Sequence, residues 1–253
     1  TSDTLDLNNE HTFRDLSKPM GAIGAKRAMQ FTDRYNTLAE IAKASTGMED
    51  WDSGGENSVE NTAPPPFFYG THYSCAGYVL HYLNRLQPYA DMSIALQGGR
   101  FDNPDRLFKD IEASWRSASQ DNLQDVRELI PEFFYSPEFL LNNNKFNFGA
   151  TQKDVIVEDV VLPKWAHGNA HEFIRKHREA LESKYVSENL HNWIDLIFGY
   201  KQHGEKAVDA MNVFIHLTYE GEVDVDAITD PLLKSATISQ INNFGQCPSK
   251  LFT

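Results

Sequence analysis

Nine histidines, two cysteines and a run of aspartates are the residues of this chain most suited to chemistry. His167, His171 and His177 lie close together, and Glu172 follows His171. A zinc-protease helix needs His-Glu-x-x-His, which sets both imidazoles on one face at i and i+4. His171 and His177 are six residues apart, roughly 240° around a helix of standard pitch. His167 and His171 do have the i, i+4 spacing, but Gly168 and Asn169 place it across a loop-to-helix junction. A zinc site needs more ligands than this pair supplies, and no third is indicated. No metal is expected.

The segment Gly70-Thr71-His72-Tyr73-Ser74-Cys75-Ala76-Gly77 invites a nucleophile reading. An elbow serine needs Gly two residues before and two after it, whereas Ser74 has His72 and Ala76 there. Ser74 reads better as the N-cap of a helix running to Leu86. Cys75 in that helix's first turn would have a lowered pKa, but no general base accompanies it. Asp224, Asp226 and Asp230 lack the central Gly and terminal Glu of a calcium loop, so turn and cap roles are expected. Gly98-Gly99-Arg100 is too short for a phosphate loop. Arg175, Lys176 and Arg178 alternate with Glu172, Glu179 and Glu182, which describes a solvated helix face or, failing that, a docking surface. None of these groups forms a catalytic set. The expectation is a protein that is not an enzyme and holds no cofactor.

The elements around these residues are mostly helical. Ala28, Phe31, Tyr35, Leu38 and Ala42 form a stripe that predicts a helix over 24–44. Val79, Leu83 and Leu86 predict a second, stopping before Pro88. Asn103 and Pro104 read as a cap and first turn ahead of Leu107, Phe108, Ile111 and Trp115. Val126, Leu129 and Ile130 suggest a helix that ends at Pro131, and Ser136-Pro137 repeats the cap-proline start. Asn169 caps a helix carrying Phe173, Ile174, His177 and Leu181. Val208, Met211 and Ile215 continue the pattern, and Ile238, Ile241 and Phe244 close it before Gly245. Leu190, Trp193, Ile194, Ile197 and Phe198 make one helical face wholly apolar, with Ser187 as cap and Gly199 as a left-handed stop. These residues are expected in the core.

Between the helices lie aromatic runs poor in turn residues: Phe67-Phe68-Tyr69, Phe133-Phe134-Tyr135 and Phe146-Asn147-Phe148. Their number implies that extended segments are buried, with backbone groups bonded to side chains and other peptides. Asp154 to Leu162 is β-branched and either forms a strand or runs through the core. Residues 49–66 differ sharply, with five acids, no base and three adjacent prolines. Little apolar area offsets ordering entropy there, so a flexible acidic insertion is expected.

The 23 basic and 36 acidic residues give a net charge of −13. Such a field repels nucleic acid and anionic lipid, which recognise excess positive charge. Cys75 and Cys247 are too few for a disulfide framework and fit a reducing cytosol. No apolar run exceeds three residues, so no membrane span is expected. The first residues, Thr1-Ser2-Asp3-Thr4, show neither a leader pattern nor a Met, as expected at an internal boundary.

Several segments carry a family likeness in order along the chain. They include Phe13-Arg14-Asp15-Leu16-Ser17-Lys18-Pro19, Tyr69-Gly70-Thr71-His72-Tyr73-Ser74, Leu96-Gln97-Gly98-Gly99-Arg100-Phe101-Asp102 and Glu128-Leu129-Ile130-Pro131-Glu132-Phe133-Phe134-Tyr135. Leu162-Pro163-Lys164-Trp165-Ala166, Ala180-Leu181-Glu182-Ser183, the stretch from Leu190 to Gln202, Thr218-Tyr219-Glu220-Gly221 and Phe244-Gly245-Gln246 complete the set. Together they resemble the BEACH domain from Phe13 to Phe252. Residues 13–22 and 117–140 are similar to the FAN type, and residues 173–187 and 242–246 equally to the autophagy-linked FYVE type.

The resemblance implies a mainly α, multihelical fold with helices around extended, irregular segments and little β-sheet. It implies one BEACH domain over 1–253, without the aromatic tract that usually begins it. It further implies a non-enzymatic scaffold within a large intracellular protein, with a PH-like domain before it and WD40 repeats after it. Such proteins act in vesicle traffic, lysosome-related and autophagic processes and receptor signalling, in the cytoplasm and peripherally on endomembranes. Partners would be the PH-like domain and other trafficking or signalling proteins, with membrane association indirect. Arg14, Lys18, Arg100 and Arg106 are the residues expected to meet partners, since arginine often makes bidentate contacts across interfaces. Arg14 and Arg100 could instead satisfy carboxylates inside the domain. Direct phospholipid binding and an unrecognised enzyme stay open as rival readings.

Overall fold

The structure is a computed structural model that describes residues 3–46 and 64–252. The acidic segment expected over 49–66 falls almost entirely outside the described residues. Eight α-helices are present among them, joined by irregular chain, short 3-10 turns and one π-helical turn (Ser117–Asp121): α1 (Ala25–Thr46), α2 (Ala76–Leu83), α3 (Tyr89–Leu96), α4 (Ile111–Arg116), α5 (Ala170–Leu181), α6 (Lys184–Ile197), α7 (Gly204–Asp209) and α8 (Pro231–Phe244). Only isolated bridges occur, so the described residues hold no sheet and the fold is mainly α. The chain divides into two compact units.

The first unit comprises Thr1–Asp15, Ser74–Asn122 and Arg127–His191. Its core is aromatic. Tyr82 meets the rings of Phe108 and Phe133 edge-on at 5.0 and 5.1 Å, and Phe133 meets Phe139 at 5.0 Å. Edge-to-face pairs add about 0.5–1.5 kcal/mol each beyond the area they bury. Helix α5 packs on the 3-10 turns Pro131–Phe134 and Pro137–Leu140, burying Phe173 and Ile174. Asn169 caps α5, accepting the amides of His171 and Glu172 at 2.9 and 3.2 Å, as its position predicts.

Irregular chain in this unit is held by side chains. Arg85 is wholly buried. It donates from Nη1 to the carbonyl of Phe108 at 2.7 Å, and from Nε and Nη2 to that of Glu158 at 3.0 and 2.7 Å. Asn142 closes a loop by donating to the Phe146 carbonyl and accepting the Phe146 amide, both at 2.9 Å. The segment from Asp154 to Leu162 forms no strand. It bridges at Ile156 and Val161 alone, while Val157 and Val160 enter the core.

The second unit comprises Leu16–Tyr73, Leu123–Val126 and Asn192–Thr253. Phe31 of α1 packs with Phe68, Tyr69, Val126 and Phe214. Val213 accepts the amides of Phe68 and Tyr69, and Tyr69 accepts that of Ile215, so two extended segments meet at a single parallel bridge. Gly21 lies under the Tyr69 ring, where a Cβ would come within 2.0 Å of Cε1. Arg27, also buried, donates to the Asp125 carbonyl at 2.8 Å.

Several local expectations are corrected. The chain at Val126–Ile130 forms no helix, and the proline after it opens a 3-10 turn. Asn103 accepts the amide of Asp105 in a tight turn; the helix starts later, where Asp110 accepts the amide of Ala113. The N-cap of α2 is Cys75, not Ser74, and α2 ends at Leu83. Ser187 lies inside α6, whose first turn is held by the Ser183 hydroxyl accepting the Val186 amide at 3.3 Å. Gly199 has no positive φ; it is required because a Cβ would lie 2.8 Å from the Asp195 Cα.

Candidate functional site

Sequence order separates the two groups that approach a reactive pair. His72 and Cys247 are 175 residues apart, yet His72 Nε2 and Cys247 Sγ lie 3.2 Å from one another within the second unit. The cysteine follows α8, and its amide donates to the Thr218 carbonyl at 2.7 Å. His72 follows the bridge at Tyr69 and stacks obliquely on Tyr73 and Phe214, at 3.8 and 5.1 Å. Nucleophile and base are thus in contact.

Their environment opposes nucleophilic chemistry. Burial pushes the Cys247 thiol up to about 12, only partly offset by its hydrogen bonding with Thr218 and Tyr219. At neutral pH the sulfur keeps its proton, and the thiolate is the reactive form. Tyr219 is likewise raised by burial, and its hydroxyl accepts the Phe214 amide at 3.1 Å. The cluster ties the chain after α8 to the centre of its unit. Both His72 and Cys247 sit in or beside motifs read in the sequence, but no spacing rule links positions so far apart.

The other candidates resolve into separate places. His177 is packed among the rings of Phe133, Phe134 and Phe173, and burial lowers its pKa to about 4. His167 and His171 are exposed, and no group of three or more His, Cys, Asp or Glu among the described residues is placed to hold a metal ion. Asp224 and Asp230 cap the 3-10 turn Val225–Ala227 and α8, as expected. Gly98 and Gly99 have positive φ and end α3, with the Gly99 amide donating to the Ile94 carbonyl. Arg175 pairs with Glu172 and Glu179 along α5, the ladder of a solvated face.

Of the four residues expected to meet partners, Arg14 is turned inward. It pairs with Glu128 at 2.9 Å, both side chains about 15% exposed, and its carbonyl accepts the Tyr185 hydroxyl at 3.1 Å. The Tyr185 ring stacks on Phe13. Lys18, Arg100 and Arg106 are exposed, and Arg106 pairs with Asp102 one turn away. In the stripe of α6, Ile197 is buried, while Trp193, Ile194 and Phe198 are partly buried and Leu190 is exposed. Leu196, off that stripe, is buried as well.

A mainly α protein of this kind places its buried cations and amides on carbonyls of sheetless chain. The family model for the Beige/BEACH domain matches residues 1–253. The chain is 51% identical over 251 residues to BEACH domain-containing protein A2 of Arabidopsis thaliana, covering 99% of this chain and 6% of that protein. It is 51% identical to Beige protein homolog 1 of Saccharomyces cerevisiae, over 99% of this chain and 11% of the relative. It is 47% identical to WD repeat- and FYVE domain-containing protein 4 of Mus musculus, over the whole chain and 7% of that protein. The chain belongs to the BEACH family. It spans only 6–11% of these relatives, which are therefore large proteins with much sequence outside it. No helix among the described residues is long and apolar enough to cross a membrane.

Proposed function

We propose that this domain is a non-enzymatic scaffold module of a large protein, docking against a PH-like domain of the same polypeptide and presenting surfaces to further partners. The observation that carries this reading is the match over essentially the whole chain to a small fraction of much longer relatives. The mouse relative is named for WD repeats and a FYVE domain, in keeping with WD40 repeats elsewhere in this polypeptide. The protonated Cys247 thiol supports the non-enzymatic part. Work in vesicle traffic, autophagy or receptor signalling, with cytoplasmic residence and peripheral attachment to endomembranes, is part of this reading and rests on the family resemblance alone.

Docking would use the exposed cations Lys18, Arg100 and Arg106, not Arg14. Arg106→Glu and Arg100→Glu are expected to weaken binding of the PH-like module while the melting temperature stays at the wild-type value. Unchanged binding by both variants removes these residues from the interface. Proximity labelling with the intact protein and with a version lacking this domain tests the scaffold role. Identical labelled sets would overturn it.

A further inference from the structure

The second unit contains a cleft of about 280 Å³ between α8 and the chain that precedes it. Leu217, Val223, Val225, Ile238 and Ile241 form its walls. Glu220, Asn242 and Gln246 stand among them, all three exposed. The volume is at the bottom of the roughly 300–1,000 Å³ range of small-molecule pockets, and its aliphatic walls suit apolar side chains of a peptide.

Charge along the stretch of chain that lines the cleft is one-sided. From Thr218 to Gln246 the chain carries Glu220, Glu222, Asp224, Asp226 and Asp230 against a single Lys234. That lysine is bound to Asp226 at 3.0 Å. In the run from Glu220 to Asp226 acids alternate with Gly221, Val223 and Val225, and the alternate residues line the cleft. The loop therefore offers apolar walls with Glu220 in the lining and the exposed Glu222 two residues on, and these two acids make its rim. An anionic occupant would be repelled by that rim. A second copy of this chain would bring like rims and a net charge of −13 together.

We infer that this cleft docks a cationic, amphipathic peptide segment, with aliphatic side chains between the valines and isoleucines and lysine or arginine against Glu220 and Glu222. The mode is that of an apolar face laid in a groove, with rim charge setting specificity and encounter rate. This deepens the scaffold reading by giving the chemistry of one partner.

The test is fluorescence anisotropy with a short labelled helical peptide bearing leucine on one face and lysine on the other. Two control peptides replace either every lysine or every leucine with serine. The leucine–lysine peptide should bind, and both controls should bind at least about tenfold more weakly, since the site uses apolar and charged contacts together. The double variant Glu220→Lys, Glu222→Lys should weaken the leucine–lysine peptide by about tenfold or more. Glu112→Lys with Glu182→Lys, which makes the same change in net charge at exposed sites outside the lining, should leave it unchanged. Ile241→Asp, checked by circular dichroism for folding, should abolish binding.

Equal weakening by the two charge-reversal pairs would reduce the effect to bulk charge and overturn the proposal. So would failure of the leucine–lysine peptide to bind, or equal binding of a control peptide. Self-association of the chain that Glu220→Lys, Glu222→Lys abolishes would assign the cleft to a second copy and overturn it too. The scaffold reading fails separately, if proximity labelling finds identical sets with and without this domain. An intact PH-like interaction beside an empty cleft sinks this inference alone.

Discussion

A guanidinium offers five N–H donors in a fixed fork, so one arginine can serve several carbonyls that no sheet would satisfy. Arg85 does this for Phe108 and Glu158, and its charge lies 5.1 Å from the Phe148 ring centre. Burial lowers its pKa to about 10, against the pull of Asp159 and Glu158, so it stays charged at neutral pH. Arg85→Leu should cost about 3–5 kcal/mol in urea denaturation, because carbonyls are left buried without donors. Arg85→Lys should recover only part of that, since an ammonium cannot reproduce the fork. A variant as stable as wild type would remove this residue's structural role. His177 gives a pH test. Its folded pKa of about 4 lies below the usual 6.5, so the unfolded chain binds the extra proton between those values. Stability is full above pH 6.5 and falls as pH drops towards 4, by on the order of 2 kcal/mol after allowing for the part of its surface that stays accessible. His177→Phe should flatten that part of the stability–pH curve; an unchanged slope would place the proton elsewhere.

At the scale of elements, legibility followed how local the determinant is. α1, α5 and α8 were readable because their apolar period lies within one stretch, with Asn169 as a cap before α5 and Gly245 as a stop after α8. Asn169→Ala should destabilise by about 1 kcal/mol in thermal or urea unfolding, the usual worth of an N-cap with two amides to satisfy. The segment at Val126–Ile130 carries a helical spacing, yet tertiary packing draws Val126 and Ile130 into different cores. Such a choice is made by partners distant in sequence, and periodicity does not see it. Proline signals were likewise ambiguous, since Pro131 and Pro137 each open a single 3-10 turn. Gly199 was legible as special but for the wrong reason. Its need is space beside Asp195, so Gly199→Ala should cost about 1–3 kcal/mol by overpacking, measurable in the same assay. The histidine–cysteine contact and the acidic cleft were hidden for a related reason, because each joins residues that only the fold brings together.

For the whole molecule, the balance of 23 bases against 36 acids decides how it meets a charged surface. A basic patch could still act locally, so the placement of cations matters more than their number. On α5, Arg175 is held by Glu172 and Glu179, and Lys176 by Glu179 at 3.0 Å. Arg106 with Asp102, and Lys206 with Asp209 at 3.0 Å, repeat the pattern of a base and an acid about one turn apart. A cation beside a phospholipid headgroup is worth about 1 kcal/mol, and an adjacent carboxylate removes most of that. The domain alone should therefore sediment with phosphatidylserine vesicles no more than with neutral phosphatidylcholine vesicles at physiological salt. Glu172→Gln with Glu179→Gln leaves Arg175 and Lys176 without their acids and should give weak, salt-sensitive binding to the phosphatidylserine vesicles. That gain would assign the low background affinity to neighbouring acids. Tight binding by the unaltered domain would instead support direct lipid recognition, and would require the indirect attachment proposed above to be withdrawn.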